Sequence, residues 1–221
     1  MRSYDDWLAT VESSPDLNGG GTLLAPVFLD ILKGQHFHTA FEWCAGPAWI
    51  GLWLLENGIC DELVTGDINE KSVEMVRKTA YNHNYNVRAY VSDNLNSIPD
   101  NERFDLVVSN PPNYFNIQRS HPFGYLRDDL RPSDIDWHIH KDFYQTIPDH
   151  LDGPMYISEV EPHEKEVWLE GSLYDVRDRT PIKDFREMTE SNGLKIEGTF
   201  PYKIENTNCS ILRIVENGRQ T

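Results

Sequence analysis

The 221-residue chain predicts an α/β fold, a mostly parallel sheet with helices packed on both faces. Three observations predict it. Short apolar runs rich in β-branched residues alternate with stretches of helical periodicity from about residue 39 to residue 158. Gly, Pro, Asp or Asn stands at the end of each run, so every strand gives way to a turn. Near the C-terminal end, two strand-like segments are joined only by a polar loop, the pattern of a closing hairpin.

Taken in order, residues 1–21 are polar, end in Asn18-Gly19-Gly20-Gly21, and are expected as a flexible lead-in to a single domain over 22–221. Thr22 is the expected cap of a helix whose apolar face uses Leu23, Leu24, Val27, Phe28, Ile31 and Leu32, with Gly34 ending it. Residues 39–44 form the first strand, 45–48 a tight turn, and 49–57 a helix closed by Gly58. A second strand over 62–66 ends on Asp67, and Asn69 caps a helix over 70–82 that buries Val73, Val76 and Ala80. Residues 87–91 alternate as a third strand ending at Ser92-Asp93-Asn94. Leu106-Val107-Val108 is a buried fourth strand, stopped by Ser109-Asn110-Pro111-Pro112. Two consecutive prolines remove two backbone donors and forbid helix before each, so the chain leaves this strand in a stiff extended turn. A helix over 137–149, a strand over 155–158, a helix over 181–192 capped by Gly193, and strands over 194–200 and 209–215 complete the chain.

Bulk properties narrow the function. With 20 Lys plus Arg against 36 Asp plus Glu, the net charge is −16, which repels phosphate backbones unless the basic groups cluster. Residues 115–140 mix Arg119, Arg127 and Arg131 with Asp128, Asp129, Asp134 and Asp136, which cancel them, and read as a solvated loop. No window approaches the roughly 18 apolar residues of a membrane helix, and the acidic amino terminus does not read as a signal peptide. Cys44, Cys60 and Cys209 are too few and too scattered for a disulfide framework or a zinc site, so a reducing cytoplasm is expected. His138 and His140, two apart, fall on different sides of a helix, and no metal is expected.

The chemistry sits at the strand tips. In open α/β sheets, ligands bind beyond the carboxyl ends of the strands. Gly46 opens a strand–turn–helix unit of the kind whose backbone approaches a nucleotide. Asp67 follows it by about 20 residues, the interval at which such folds hold ribose hydroxyls. Asp93 is an acceptor-only carboxylate suited to an exocyclic amine, and Asn110 offers an amide oxygen on a rigid turn.

Together, Glu42, Gly46-x-Ala48, Asp67, Asp93 and Asn110-Pro111-Pro112-Asn113 resemble, in order and spacing, the class I methyltransferases that use S-adenosylmethionine. More narrowly they look like the amino-methyltransferase branch with an Asn-Pro-Pro-aromatic motif, which includes release-factor glutamine, adenine-N6 and guanine-N2 methyltransferases. The resemblance covers residues 20–215 and implies a Rossmann-like three-layer αβα sandwich, with a seven-stranded, mostly parallel sheet whose last strand is antiparallel. It implies cofactor contacts from Glu42 (to the ammonium group), Cys44, Gly46, Ala48, Asp67 (to the ribose), Ile68, Asp93 (to the adenine amine), Asn94 and Asn110. Asn110, Pro111 and Pro112 would act on the nitrogen to be methylated, and Asn113 and Tyr114 would bind the substrate.

Two departures from the family pattern carry expectations. Ala48 stands where the family usually has Gly, and its methyl is expected to crowd the cofactor. Asn113 stands where an aromatic residue stacks on a planar target, and neighbouring extended residues point oppositely, so Tyr114 does not simply replace it. With the acidity, this favours a protein (glutamine-like) or small-molecule amide or amine over a nucleic-acid base. The alternatives are an RNA or DNA base N-methyltransferase and an inactive relative acting as the partner subunit of another protein. A nicotinamide oxidoreductase lacks its glycine fingerprint here and leaves Asn-Pro-Pro unexplained.

Overall fold

The computed structural model describes residues 2–14, 21–112, 134, 137–160, 166–169, 172–175, 181–204 and 207–218. Seven strands form one sheet: β1 (Phe37–Trp43), β2 (Cys60–Asp67), β3 (Val87–Val91), β4 (Leu106–Ser109), β5 (Met155–Val160), β8 (Leu194–Ile204) and β9 (Thr207–Glu216). Their order is β3-β2-β1-β4-β5-β9-β8. The first five in this order run parallel, and β9 is antiparallel to both of its neighbours, as expected from the sequence. Between β1 and β4 the strand order reverses direction, so the carboxyl ends of these two strands open a crevice.

Two apolar layers flank the sheet. Alternate side chains of β1 divide between them: Ala40 joins the layer under helices α2 (Gly21–Leu32), α3 (Trp49–Glu56) and α4 (Glu70–His83), while Phe41 and Trp43 join the layer under α5 (His138–Thr146) and α6 (Pro181–Glu190). Helix α4 starts where the sequence places it: the Asn69 side chain accepts from the N–H groups of Lys71 at 2.9 Å and Ser72 at 3.4 Å. It ends on Asn84 in the left-handed region, one residue beyond His83. At the opposite edge, Asp105 accepts from the backbone of His38 at 2.7 Å and Thr39 at 2.8 Å, pinning the start of β1 to the start of β4.

Three elements depart from expectation. The supposed flexible lead-in carries α1 (Tyr4–Leu8), capped by Ser3, with Trp7 fully buried against Trp53. Residues 3–11 are therefore part of the packed unit, because a Trp and a Tyr at helical spacing bury more area than the neighbouring acidic residues need exposed. Helix α2 begins at Gly21 rather than after a Thr22 cap, and Leu23 projects outward while Leu24, Phe28 and Leu32 are buried. A separate antiparallel pair, β6 (Glu166–Leu169) with β7 (Ser172–Asp175), is an addition with no counterpart in the sequence reading. Among the described residues, no helix is long and apolar enough to cross a membrane.

Candidate functional site

Sheet register brings the two sequence motifs side by side. Trp43 at the end of β1 lies opposite Ser109 at the end of β4, and the Ser109 hydroxyl donates to the Trp43 carbonyl at 2.5 Å. The Cys44–Ala48 turn and the Asn110-Pro111-Pro112 exit thus leave adjacent strands at one edge. Asn113 and Tyr114, the expected substrate contacts, lie outside the described residues.

The turn is tied to the tip of β2. Ala45 N–H donates to the Gly66 carbonyl at 3.1 Å. Asp67 takes the Gly46 N–H on one carboxylate oxygen at 2.7 Å and the Asn69 N–H on the other at 2.8 Å. The tip of β3 joins through Ser92 N–H and the Asp67 carbonyl, 2.9 Å apart, and Asp93 beyond it is exposed. Gly46 has φ +52°, and the space where a side chain would project from it is open. Ile68, 46% exposed, leaves an apolar side chain uncovered beside Asp67.

Glu42 is the most unusual group of the site. It is buried at the end of β1 and accepts from the Gly51 N–H at 2.7 Å, at the amino end of α3. Burial pushes its carboxyl up to about 8, against the Gly51 and Ile50 N–H groups that pull it down, and nearby Asp67 adds to the rise. Gly51 is what admits the carboxylate: a Cβ there would stand 2.7 Å from Glu42 Oε2 and 2.6 Å from Leu63. A glycine inside an apolar helix is the sequence signal of such a close approach.

The structure places two further residues of the expected cofactor site. Ala48 is left-handed, with φ +58°, but its methyl is fully buried in the layer beneath α2 and α3 and does not face the crevice. Its left-handed backbone carries a local strain. Accordingly Ala48→Gly should change unfolding free energy by less than about 1 kcal/mol. Relief of left-handed strain, about 1–2 kcal/mol, is offset by a lost buried methyl, about 0.8 kcal/mol, and a freer unfolded chain, about 0.4–1 kcal/mol. Affinity for S-adenosylhomocysteine, measured by calorimetry, should stay within about threefold; a larger gain would put the methyl in the cofactor's way after all.

Asn94 is the second. Its side chain accepts from Trp43 Nε1 at 2.8 Å and donates to the Ile139 carbonyl at 3.2 Å and to Asp142 at 2.6 Å. These bonds bind the β3 loop to β1 and α5.

Three functional-site candidates escape sequence reasoning. Asp134, expected in a solvated loop, is fully buried and accepts from His140 Nδ1 at 2.6 Å and from the backbone N–H groups of Ile139 and His140 at 2.9 Å each. His140 Nε2 meets Glu159 Oε1 at 3.1 Å. Burial pushes the imidazole down, but Glu159 and Asp134 outweigh it and carry it up to about 9. Burial also pushes Asp134 up, yet His140 and the two N–H groups hold it below the usual carboxylate range. Cys44, left-handed at φ +51°, has its thiol raised by burial and then by Asp67, Asp134, Asp93 and Glu159 in turn. Among the described residues, the charged groups that act on the Cys44 thiol are all carboxylates.

These features fit the cofactor that the resemblance implies: an open glycine turn, a buried carboxylate for an ammonium group, acidic strand tips and an uncovered aliphatic residue for a planar ring. A family model described as the methyltransferase small domain matches residues 10–121. The ribosomal RNA small subunit methyltransferase C of Actinobacillus pleuropneumoniae serotype 5b (strain L20) is 35% identical over 107 residues, 48% of this chain and 31% of that protein. The match thus spans about a third of that curated relative's length. Among solved structures, the ribosomal protein L11 methylase of Lactobacillus delbrueckii subsp. bulgaricus superposes with a TM-score of 0.60 at 14% identity, covering 94% of this chain and 85% of that one. TrmK of M. capricolum, bound to S-adenosyl-homocysteine, gives 0.59 at 11% identity over 86% and 68% of the two chains. At these identities the likeness shows the fold.

Proposed function

The chain belongs to the methyltransferase small domain family, whose cofactor is S-adenosylmethionine, and from that premise we propose an N-methyltransferase acting on an amide or amine nitrogen. The observation that carries this reading is the register that sets the Gly46 turn beside Asn110-Pro111-Pro112, with Trp43 opposite Ser109. Glu42 would hold the cofactor's ammonium group, Gly46 its amino-acid end, Asp67 the ribose hydroxyls, and Asp93 with Ile68 the adenine. Bound there, S-adenosylmethionine supplies an electrophilic methyl group on a sulfonium. The Asn110 side-chain oxygen and the Pro111 carbonyl would accept the hydrogens of the incoming nitrogen. Held so, a delocalised lone pair turns toward the methyl, and positive charge developing on nitrogen is stabilised. The stiffness of two prolines keeps those acceptors from collapsing onto other donors.

For the acceptor we favour a protein side chain or a small molecule, because the chain carries a net charge of −16, which repels phosphate backbones, and some of its described cations are paired with its own carboxylates. Arg88 is clamped between Glu62 and Glu102, Arg213 pairs with Glu197, and Lys78 with Glu12 at 2.9 Å. A nucleic-acid base is the second reading, favoured by the ribosomal RNA methyltransferase relative. We place the protein in a reducing cytoplasm, in keeping with three free thiols.

Calorimetric titration with S-adenosylhomocysteine tests the cofactor half. Micromolar binding is expected, and Asp67→Ala should weaken it at least tenfold, about 1.4 kcal/mol. Failure of the unmodified protein to bind would overturn the enzyme reading and leave a partner subunit of methyltransferase fold. Transfer of radiolabelled methyl to protein, small-molecule and RNA fractions then separates the acceptors, and label confined to RNA would replace the first reading with the second.

A further inference from the structure

Asn94, in the loop after β3, makes three side-chain bonds that the cofactor contacts do not require. It is buried, and its backbone is left-handed with φ +50°, a conformation asparagine tolerates better than most side chains. Its amide oxygen accepts from Trp43 Nε1 at 2.8 Å, at the end of β1. Its amide nitrogen donates to the Ile139 carbonyl at 3.2 Å and to Asp142 at 2.6 Å, both on α5. The oxygen and both hydrogens of the amide are thus taken up inside the fold. The Trp43 ring is itself fixed, stacked on Phe143 of α5 with centroids 3.8 Å apart. Asp93, next in the chain, is exposed, and on its other side the Ser92 N–H donates to the Asp67 carbonyl at 2.9 Å. An exposed carboxylate therefore stands between two anchored neighbours. The Cys44 thiol is raised by burial and then by Asp67, Asp134 and Asp93, so Asp93 lies within electrostatic reach of the Cys44–Ala48 turn.

We propose that Asn94 is a positioning residue for cofactor selectivity: by joining the β3 tip to Trp43 and α5, it holds the Asp93 carboxylate where that group accepts the exocyclic amine of adenine. Asp93 makes the contact, and Asn94 acts through it. The proposal rests on the methyltransferase reading above and deepens it, from an acidic strand tip to a fixed acceptor that tells an amino purine from an oxo purine. The chemistry gives the reason. A carboxylate only accepts, so an amine satisfies it and a ring oxygen confronts it with a second acceptor. Rejection is strong when the carboxylate cannot turn away, because the analogue then leaves it without its partner. A carboxylate on a loose loop would have to be ordered on binding, and would swing clear of the wrong ligand at little cost.

The test compares S-adenosylhomocysteine with S-inosylhomocysteine, in which an oxygen replaces the exocyclic amine, by calorimetry on the full chain. The unmodified protein should bind the adenosyl compound at least about tenfold more tightly. Asp93→Ala should bring that ratio below about threefold. Asn94→Gly, which keeps the left-handed backbone free of strain, should do the same with Asp93 still present. The double variant should lower the ratio no further, since both changes remove one interaction. The ratio is the deciding readout, because a merely structural loss weakens both ligands alike. Should Asn94→Gly not fold, Asp142→Ala and Trp43→Phe each remove one of the bonds to Asn94, and each should lower the ratio by at least about twofold. An unmodified protein that binds both compounds equally overturns the proposal. So does an unchanged ratio in Asp93→Ala, in Asn94→Gly or, in its place, in both single-bond variants. Failure of the unmodified protein to bind either compound is a different outcome and overturns the methyltransferase reading itself.

Discussion

Glu42→Gln should make the protein more stable at alkaline pH and a poorer binder of its cofactor. Glu42 keeps its proton up to about 8 in the fold, whereas in the unfolded chain it ionises at the ordinary value of 4.5. Between those values the folded state binds the extra proton. The stability this contributes is complete below about 4.5 and is lost as pH rises through about 8. A shift of that size corresponds to a few kcal/mol, and at roughly 2–4 °C per kcal/mol for a chain of this length it is visible in a melting curve. Glutamine has the same shape and can accept from the Gly51 N–H, but it has no proton to lose. The variant's advantage should therefore be absent near pH 5 and grow through pH 8. His140 titrates in both proteins and cancels in the difference.

Binding should show the opposite sign. An ammonium group beside Glu42 favours its ionised form, so near pH 7 the wild type should release up to one proton on taking S-adenosylhomocysteine. Calorimetry in two buffers of different ionisation heat measures that release, which should vanish in Glu42→Gln. A buried charge-assisted bond contributes about 1.5–3 kcal/mol, so the variant's affinity at pH 8 should fall at least tenfold, and by less at pH 6. Equal proton release in both proteins would remove Glu42 from the ammonium site.

Which parts of this molecule were legible in the sequence follows from how far each feature depends on distant residues. The strands over 87–91 and 106–108 and the Asn69 cap are local facts, written in alternation and in one side chain's reach, and they appear as expected. The tips Asp67 and Asp93 follow from where strands end. The left-handed backbone of Ala48 and the burial of its methyl are not local facts, and only the packed turn shows them. Asn94 looked like a tip residue, yet its amide is occupied by Trp43 and by α5, an element that begins more than forty residues later. Asp134, His140 and Glu159 share no periodicity, and the fold alone assembles them. Glycine 51 did carry a signal, an interior helical glycine in an otherwise large apolar run, whose meaning is the carboxylate of Glu42 across 2.7 Å.

Trp7→Ala should cost about 3–5 kcal/mol of unfolding free energy, the range for a buried Trp or Phe, although it lies in a segment that reads as a polar lead-in. Trp7 has no exposed surface. Its ring lies 4.9 Å from that of Trp53 and 5.6 Å from that of Tyr4, and Tyr4 meets Trp53 edge-on at 5.0 Å. Its indole N–H donates to the Tyr85 hydroxyl at 3.0 Å, which in turn donates to Glu56, so one side chain joins α1 to the ends of α3 and α4. Truncation opens a cavity too large for such aromatic neighbours to close by small shifts, since packed interiors yield little. Trp7→Phe separates the two contributions: it keeps most of the apolar area and should lose about 1 kcal/mol for the hydrogen bond. Urea unfolding monitored by circular dichroism measures both. If Trp7→Ala lowers stability by less than about 1 kcal/mol, α1 rests on the domain without belonging to it, and the lead-in reading regains its place. A full-sized loss makes the amino-terminal helix a brace for α3, the helix whose Gly51 N–H holds Glu42, the residue proposed for the cofactor's ammonium group.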